Sequence, residues 1–103
     1  MNDLIQLHKE YLMKKFGKEP SEVDKREVAL GIVGEVGEIV LNSDFLSWKT
    51  KNDKDNILEE TTDILFFVLE MYLIYGVESF DEVIQMYKNK MNKNLSRGDH
   101  KSW

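Results

Sequence analysis

Two pairs of acids carry the chemistry this chain is equipped for: Glu35 with Glu38, and Glu60 with Asp63. Residues three apart on a helix share a face, about 5–6 Å between Cβ atoms, so each pair aims two carboxylates the same way. Both pairs stand in apolar surroundings. Glu35 and Glu38 are embedded in LGIVGEVGEIVL, and no Lys or Arg lies three or four residues from either; Asp63 directly precedes Ile64, Leu65, Phe66 and Phe67. Acids in the most apolar stretches of a chain need a partner. Four of them brought together would repel and be costly to desolvate, and a divalent cation removes that cost. Oxygen ligands without His or Cys suit Mg²⁺, with Mn²⁺ as a substitute, rather than Zn²⁺. Mg²⁺ also binds phosphates beside one or two carboxylates. The expectation is a metal site of Glu35, Glu38, Glu60 and Asp63, open towards a phosphate ligand.

The elements that must position these acids are helices. A first helix is expected from about Asp3 to Phe16, with Leu4, Leu7, Tyr11 and Leu12 near one stripe and Gly17 as its stop. Pro20 and Ser21, with Asp24 as a short capping-box acid, predict the start of a second helix ending near Asn42. Asp44 to Asn52 reads as a loop. Asp53 or Asp55 opens a third helix reaching Tyr75, with Gly76 as its stop, and Ser79 with Glu82 opens a fourth to about Asn94. Short connections imply one antiparallel four-helix bundle over residues 1–103. Gly31, Gly34 and Gly37 recur inside the second helix, each costing about 1 kcal/mol relative to Ala. That expense points to close approach of another helix or a ligand. His8 is expected on the helix surface.

The third helix is apolar on more than one side: Phe66, Phe67, Leu69, Tyr72, Leu73 and Ile74 cannot all face one small core. A second subunit is the simplest cover, so a homodimer or a dimer-of-dimers tetramer is expected. Ile64 to Tyr75 is nevertheless too short for a membrane span, which needs roughly 20 residues, and reads as a buried core helix. The net charge of -5 argues against a nucleic-acid polymer as partner. The absence of cysteine excludes disulfides, thiolate metal sites and thiol nucleophiles, and makes the reducing cytoplasm the expected compartment. MNDLIQLHKE lacks the apolar core of a signal peptide.

GEVGEI followed by LEETTDILFFVL resembles the all-α nucleoside triphosphate pyrophosphatases, the MazG-like and dimeric dUTPase superfamily. Its Glu-x-x-Glu and Glu-x-x-Asp pairs are read here by Glu35, Glu38, Glu60 and Asp63. Phe45-Leu46-Ser47-Trp48-Lys49 looks like the aromatic loop of dUTPase-like members. Tyr87, Lys90, Asn94 and Arg97 are similar to their Tyr-x-x-Lys-x-x-x-Asn-x-x-Arg pattern, and the closing RGDHKSW is similar to the ending of some short MazG-like proteins. The resemblance implies Mg²⁺-dependent hydrolysis of a (deoxy)nucleoside triphosphate to the monophosphate and pyrophosphate. It implies the four acids as ligands, Glu35 or Glu38 as base towards the attacking water, and Lys90, Asn94, Arg97 and Trp48 as substrate contacts. Gly34 stands where many members carry a further Glu, so the alternative is a module of the same fold that sequesters a nucleotide without cleaving it.

Overall fold

In the computed structural model, residues 3–44 and 53–97 are described. Asp3 leads the chain into α1 (Leu4–Phe16): its Oδ1 accepts from the backbone N–H groups of Ile5 at 2.8 Å and Gln6 at 3.3 Å. Gly17 ends the helix in the left-handed region, at φ 63°, which only glycine adopts without strain.

The second helix does not start at Pro20 and Ser21. Residues Pro20–Glu22 form a separate 3₁₀ turn, closed by reciprocal capping between Glu19 and Glu22, with the Glu19 N–H donating to Glu22 Oε1 at 2.9 Å. α2 (Lys25–Leu41) begins after Asp24, whose Oδ1 accepts from the Arg26 N–H at 2.9 Å. Ser21 therefore caps nothing: the acid pair closes its own turn, and Asp24, read from sequence as the far end of a box, is itself the cap.

α3 (Lys54–Ile74) opens on Asp53, which accepts from the Asn56 backbone N–H and side-chain amide at 3.2 and 2.8 Å, and Gly76, at φ 88°, lies just beyond its end. α4 (Phe80–Leu95) opens on the expected Ser79–Glu82 capping box. The fold is an all-helical bundle, with no strand among the described residues. The Asp53 N–H donates to the Asn42 carbonyl at 2.9 Å, drawing the start of α3 to the end of α2. The two helices then run antiparallel in the most extensive helix pairing of the chain.

α1 lies across α3, where Ile5, Leu12, Leu69 and Leu73 make the core. α4 is tied to the start of α1. Asp3 Oδ2 accepts from the Phe80 N–H at 2.7 Å, and the Gln6 amide donates to the Glu78 carbonyl. One carboxylate thus serves the N-termini of two helices. No helix among the described residues is long and apolar enough to cross a membrane.

In the single chain, α3 is not a core helix on all sides: only Leu69, Glu70 and Leu73 are buried, while Leu58, Leu65, Phe66 and Tyr75 are exposed. α2 leaves Leu30 70% exposed, and α4 leaves Tyr87, Met91 and Leu95 open along its length.

Candidate active site

The acidic centre depends on how closely α2 and α3 approach. Gly31 faces the ring of Phe67, and a Cβ there would lie 2.6 Å from Cζ. The missing side chain lets the ring rest against the α2 backbone. One turn along, towards the C-terminal end of α2 and the N-terminal end of α3, Glu35 comes level with Asp63. Close approach, expected of all three glycines, is seen at Gly31; nothing described comes within 4 Å of a Cβ at Gly34 or Gly37.

Glu35, Glu60 and Asp63 converge, each offering a carboxylate oxygen within 4.8 Å of the other two. Between them on α3, Thr61 and Thr62 turn their hydroxyls back to the carbonyls of Ile57 and Leu58, at 2.7 and 2.9 Å. Their hydroxyls are thereby kept to the helix's own backbone rather than the acids.

The electrostatics are those of carboxylates without a counter-charge. Glu60 holds its proton more tightly than a free carboxyl, first because it shares a hydrogen bond with Glu35, then through burial and the charges of Glu35 and Asp63. Glu35 Oε2 is buried and has no hydrogen-bond partner, a costly state that a bound cation would relieve. An all-oxygen donor set, an orphaned buried oxygen and mutual repulsion fit a hard divalent cation.

The other expected site residues lie elsewhere. Glu38 is exposed on α2 and is not among the three converging acids. Lys90 is exposed on α4; Asn94 is half-buried, its Oδ1 enclosed and without a hydrogen-bond partner; Arg97 follows the helix. None of these three lines the cavity that Glu35 and Asp63 share. Trp48, Phe45 and the tail beyond Arg97 lie outside the described residues.

The structure adds residues that the spacing of acids did not reveal. A cavity of about 210 Å³ is walled by Glu35 and Asp63 together with Tyr11, Phe16, Phe66, Phe67 and Glu70. Glu70 is buried, and His8 Nε2 stands 3.3 Å from its Oε1. Because a carboxylate only accepts, the His8 N–H is the donor. His8 is 4% exposed, which corrects the expectation of a surface residue. It lies four residues from both Leu4 and Leu12 on the buried stripe of α1, and that register was its sequence signal. The rings of His8, Tyr11 and Phe66 form a mutual cluster with centroids 5.2–5.3 Å apart.

A family model described as dUTPase matches residues 1–98. The chain belongs to this family. It is the all-helical, dimeric dUTPase-like branch of the MazG-like superfamily, whose members are nucleotide hydrolases. No curated protein matches the chain, and no solved structure does.

Proposed function

We propose that this chain is a Mg²⁺-dependent nucleoside triphosphate pyrophosphohydrolase, converting a (d)NTP and water to the (d)NMP and pyrophosphate. The observation that carries the reading is the convergence of Glu35, Glu60 and Asp63 from two helices in a member of the dUTPase family. These three would hold the metal, with Glu38, one turn from Glu35, completing the set from its exposed position.

Bound Mg²⁺, or Mn²⁺ in its place, supplies positive charge for the phosphate oxygens and acidifies a coordinated water. The chain's own residues do the rest. A carboxylate of Glu35 or Glu38 takes the proton of the attacking water, whose oxygen bonds to the α-phosphorus. The bond from that phosphorus to the α,β-bridging oxygen breaks, and pyrophosphate departs with the electron pair. Lys90 and Arg97, which do not line the acids' cavity in their own chain, would bind the phosphates in the assembled oligomer, with Arg97 able to grip two oxygens at once, and Asn94 would reach sugar or phosphate. Trp48 stacks on the base. No side chain need form a covalent bond to substrate.

A second copy of the chain, as a homodimer or a dimer of dimers, covers the apolar faces of α2, α3 and α4. Leu30, Leu65, Tyr87 and Leu95, exposed on these helices, are side chains of the kind that obligate subunits bury. A sequestering module of the same fold is favoured by one observation, the open space around Gly34 where an acid is absent. Mass analysis of a triphosphate after incubation separates the two readings.

Glu38→Gln and Asp63→Asn should each lower Mg²⁺-dependent pyrophosphate release by about 10²–10³ or more, with helical content unchanged by circular dichroism. Wild-type turnover in either variant removes the metal assignment.

A further inference from the structure

α4 is anchored at one end. Asp3 holds its first turn to α1, and Phe80 and Val83 pack against the core. From Ile84 to Lys93 every residue is exposed. About three turns of helix without tertiary support are marginal in water, and this stretch is not built for water. Ile84, Tyr87, Met91 and Leu95 follow at steps of three, four and four residues and form one apolar stripe, with Tyr87 68% and Leu95 76% exposed. The charges along the helix are sorted by sign. Asp81 and Glu82 stand in the first turn, while Lys88, Lys90 and Lys93 follow in the second half. Asp81 and Lys88 lie on the same side of the stripe, seven residues and about 10.5 Å apart along the axis. They are too distant to pair with each other, and neither is in an ion pair among the described residues.

We propose that α4 pairs with α4 of a second copy of this chain, antiparallel across a two-fold axis, with Ile84, Tyr87 and Met91 forming the seam and Asp81 of each protomer facing Lys88 of the other.

A surface that meets its own copy across a two-fold axis must be self-complementary, and α4 is so in one direction only. Antiparallel, the acids of the first turn lie opposite the lysines of the partner, and the two helix dipoles oppose each other. Parallel, acids meet acids and lysines meet lysines. The apolar stripe supplies the affinity. The flanking charges set direction and register, as they do beside coiled-coil seams, because exposed ion pairs contribute little on their own. With Asp81 opposite Lys88 of the partner, Ile84 of one protomer sits beside Tyr87 of the other. Ile84 is then displaced from its own counterpart by about 4.5 Å along the axis, and Met91 from its counterpart by about 16.5 Å. Lys90 falls on the far side of the stripe from Asp81 and Lys88, which leaves it clear for the phosphate role proposed above.

The inference rests on the reading that a second copy covers the apolar faces, and two experiments on the whole chain separate them. Asp81→Lys and Lys88→Asp should each weaken self-association about tenfold in sedimentation, because each sets like charges opposite one another. An equimolar mixture of the two variants should recover wild-type affinity as a heterodimer, since every facing pair is then opposite in sign. Damage to α4 within its own chain cannot be repaired by mixing. The chain has no cysteine, so a single introduced thiol reports direction independently. A short bismaleimide should link Ile84→Cys to its own copy and leave Met91→Cys unlinked. No recovery on mixing, or any other pattern of linking, overturns the antiparallel pairing: both thiols linked means parallel helices, and neither linked means that α4 does not meet its copy. A dimer that fails these tests sinks this inference alone, whereas a wild-type monomer at micromolar concentration sinks the association reading with it.

Discussion

Glu60 is the residue whose protonation reports on the centre. Its carboxyl is raised above the ordinary value of 4.5 by Glu35, by burial and by Asp63. The folded state therefore binds this proton more tightly than the unfolded chain does. The stability contributed by Glu60 is full below about pH 4.5 and is lost as pH rises through the raised folded value. Melting of metal-free protein, taken as the difference between wild type and Glu60→Gln over about pH 4 to 8, should show wild type losing ground as pH rises. Saturating Mg²⁺ should abolish that loss, because a cation replaces the shared proton and stabilises the folded state by mass action. A pH-independent difference in the metal-free protein would show that Glu60 does not feel Glu35.

Among the elements, the α2–α3 pair decides the site, and Gly31 sets its spacing. Gly31→Ala would gain about 1 kcal/mol in helix propensity, but its Cβ would collide with the Phe67 ring. Overpacking of this kind costs about 1–3 kcal/mol. The expected result is net destabilisation on denaturant titration together with weaker Mg²⁺ binding, since the collision sits one turn from Glu35. A stabilised variant with unaltered metal affinity would mean that the helix separation does not depend on this glycine. The helices themselves were largely legible in the sequence. Gly17, Gly76, Asp53 and the Ser79–Glu82 box stand where local chemistry puts them, because caps act over three or four residues. The 3₁₀ turn was missed because Glu19 to Asp24 holds two overlapping caps, and only three-dimensional packing chooses between them. Glu35, Glu60 and Asp63 were legible from helical spacing in apolar context. His8 and Glu70 were not, since their pairing spans 62 residues of sequence and each alone looks like an ordinary helical polar residue.

For the whole molecule, the exposed apolar faces are the main energetic fact. Leu30 on α2, Leu65 on α3, Tyr75 just past its end, and Leu95 on α4 are too widely exposed for a chain with so few buried core side chains among the described residues. Apolar surface of this extent drives association. Light scattering at micromolar concentration should give at least twice the 12.1 kDa of one chain. Changing Leu65 to Lys should push the population towards monomer while lowering the melting temperature, because folding and assembly draw on the same surface. A monodisperse, stably folded monomer would leave these faces without a role.

The double duty of Asp3 reaches further than its place near the start of the chain suggests. Its two oxygens bind the beginnings of α1 and α4 together, and α4 bears Lys90 and Asn94, with Arg97 just past its end. The groups proposed to grip the phosphates thus take their placement from a residue far earlier in the polypeptide. An affinity tag fused directly ahead of residue 3 is expected to disturb that junction and with it the seating of α4 on α1.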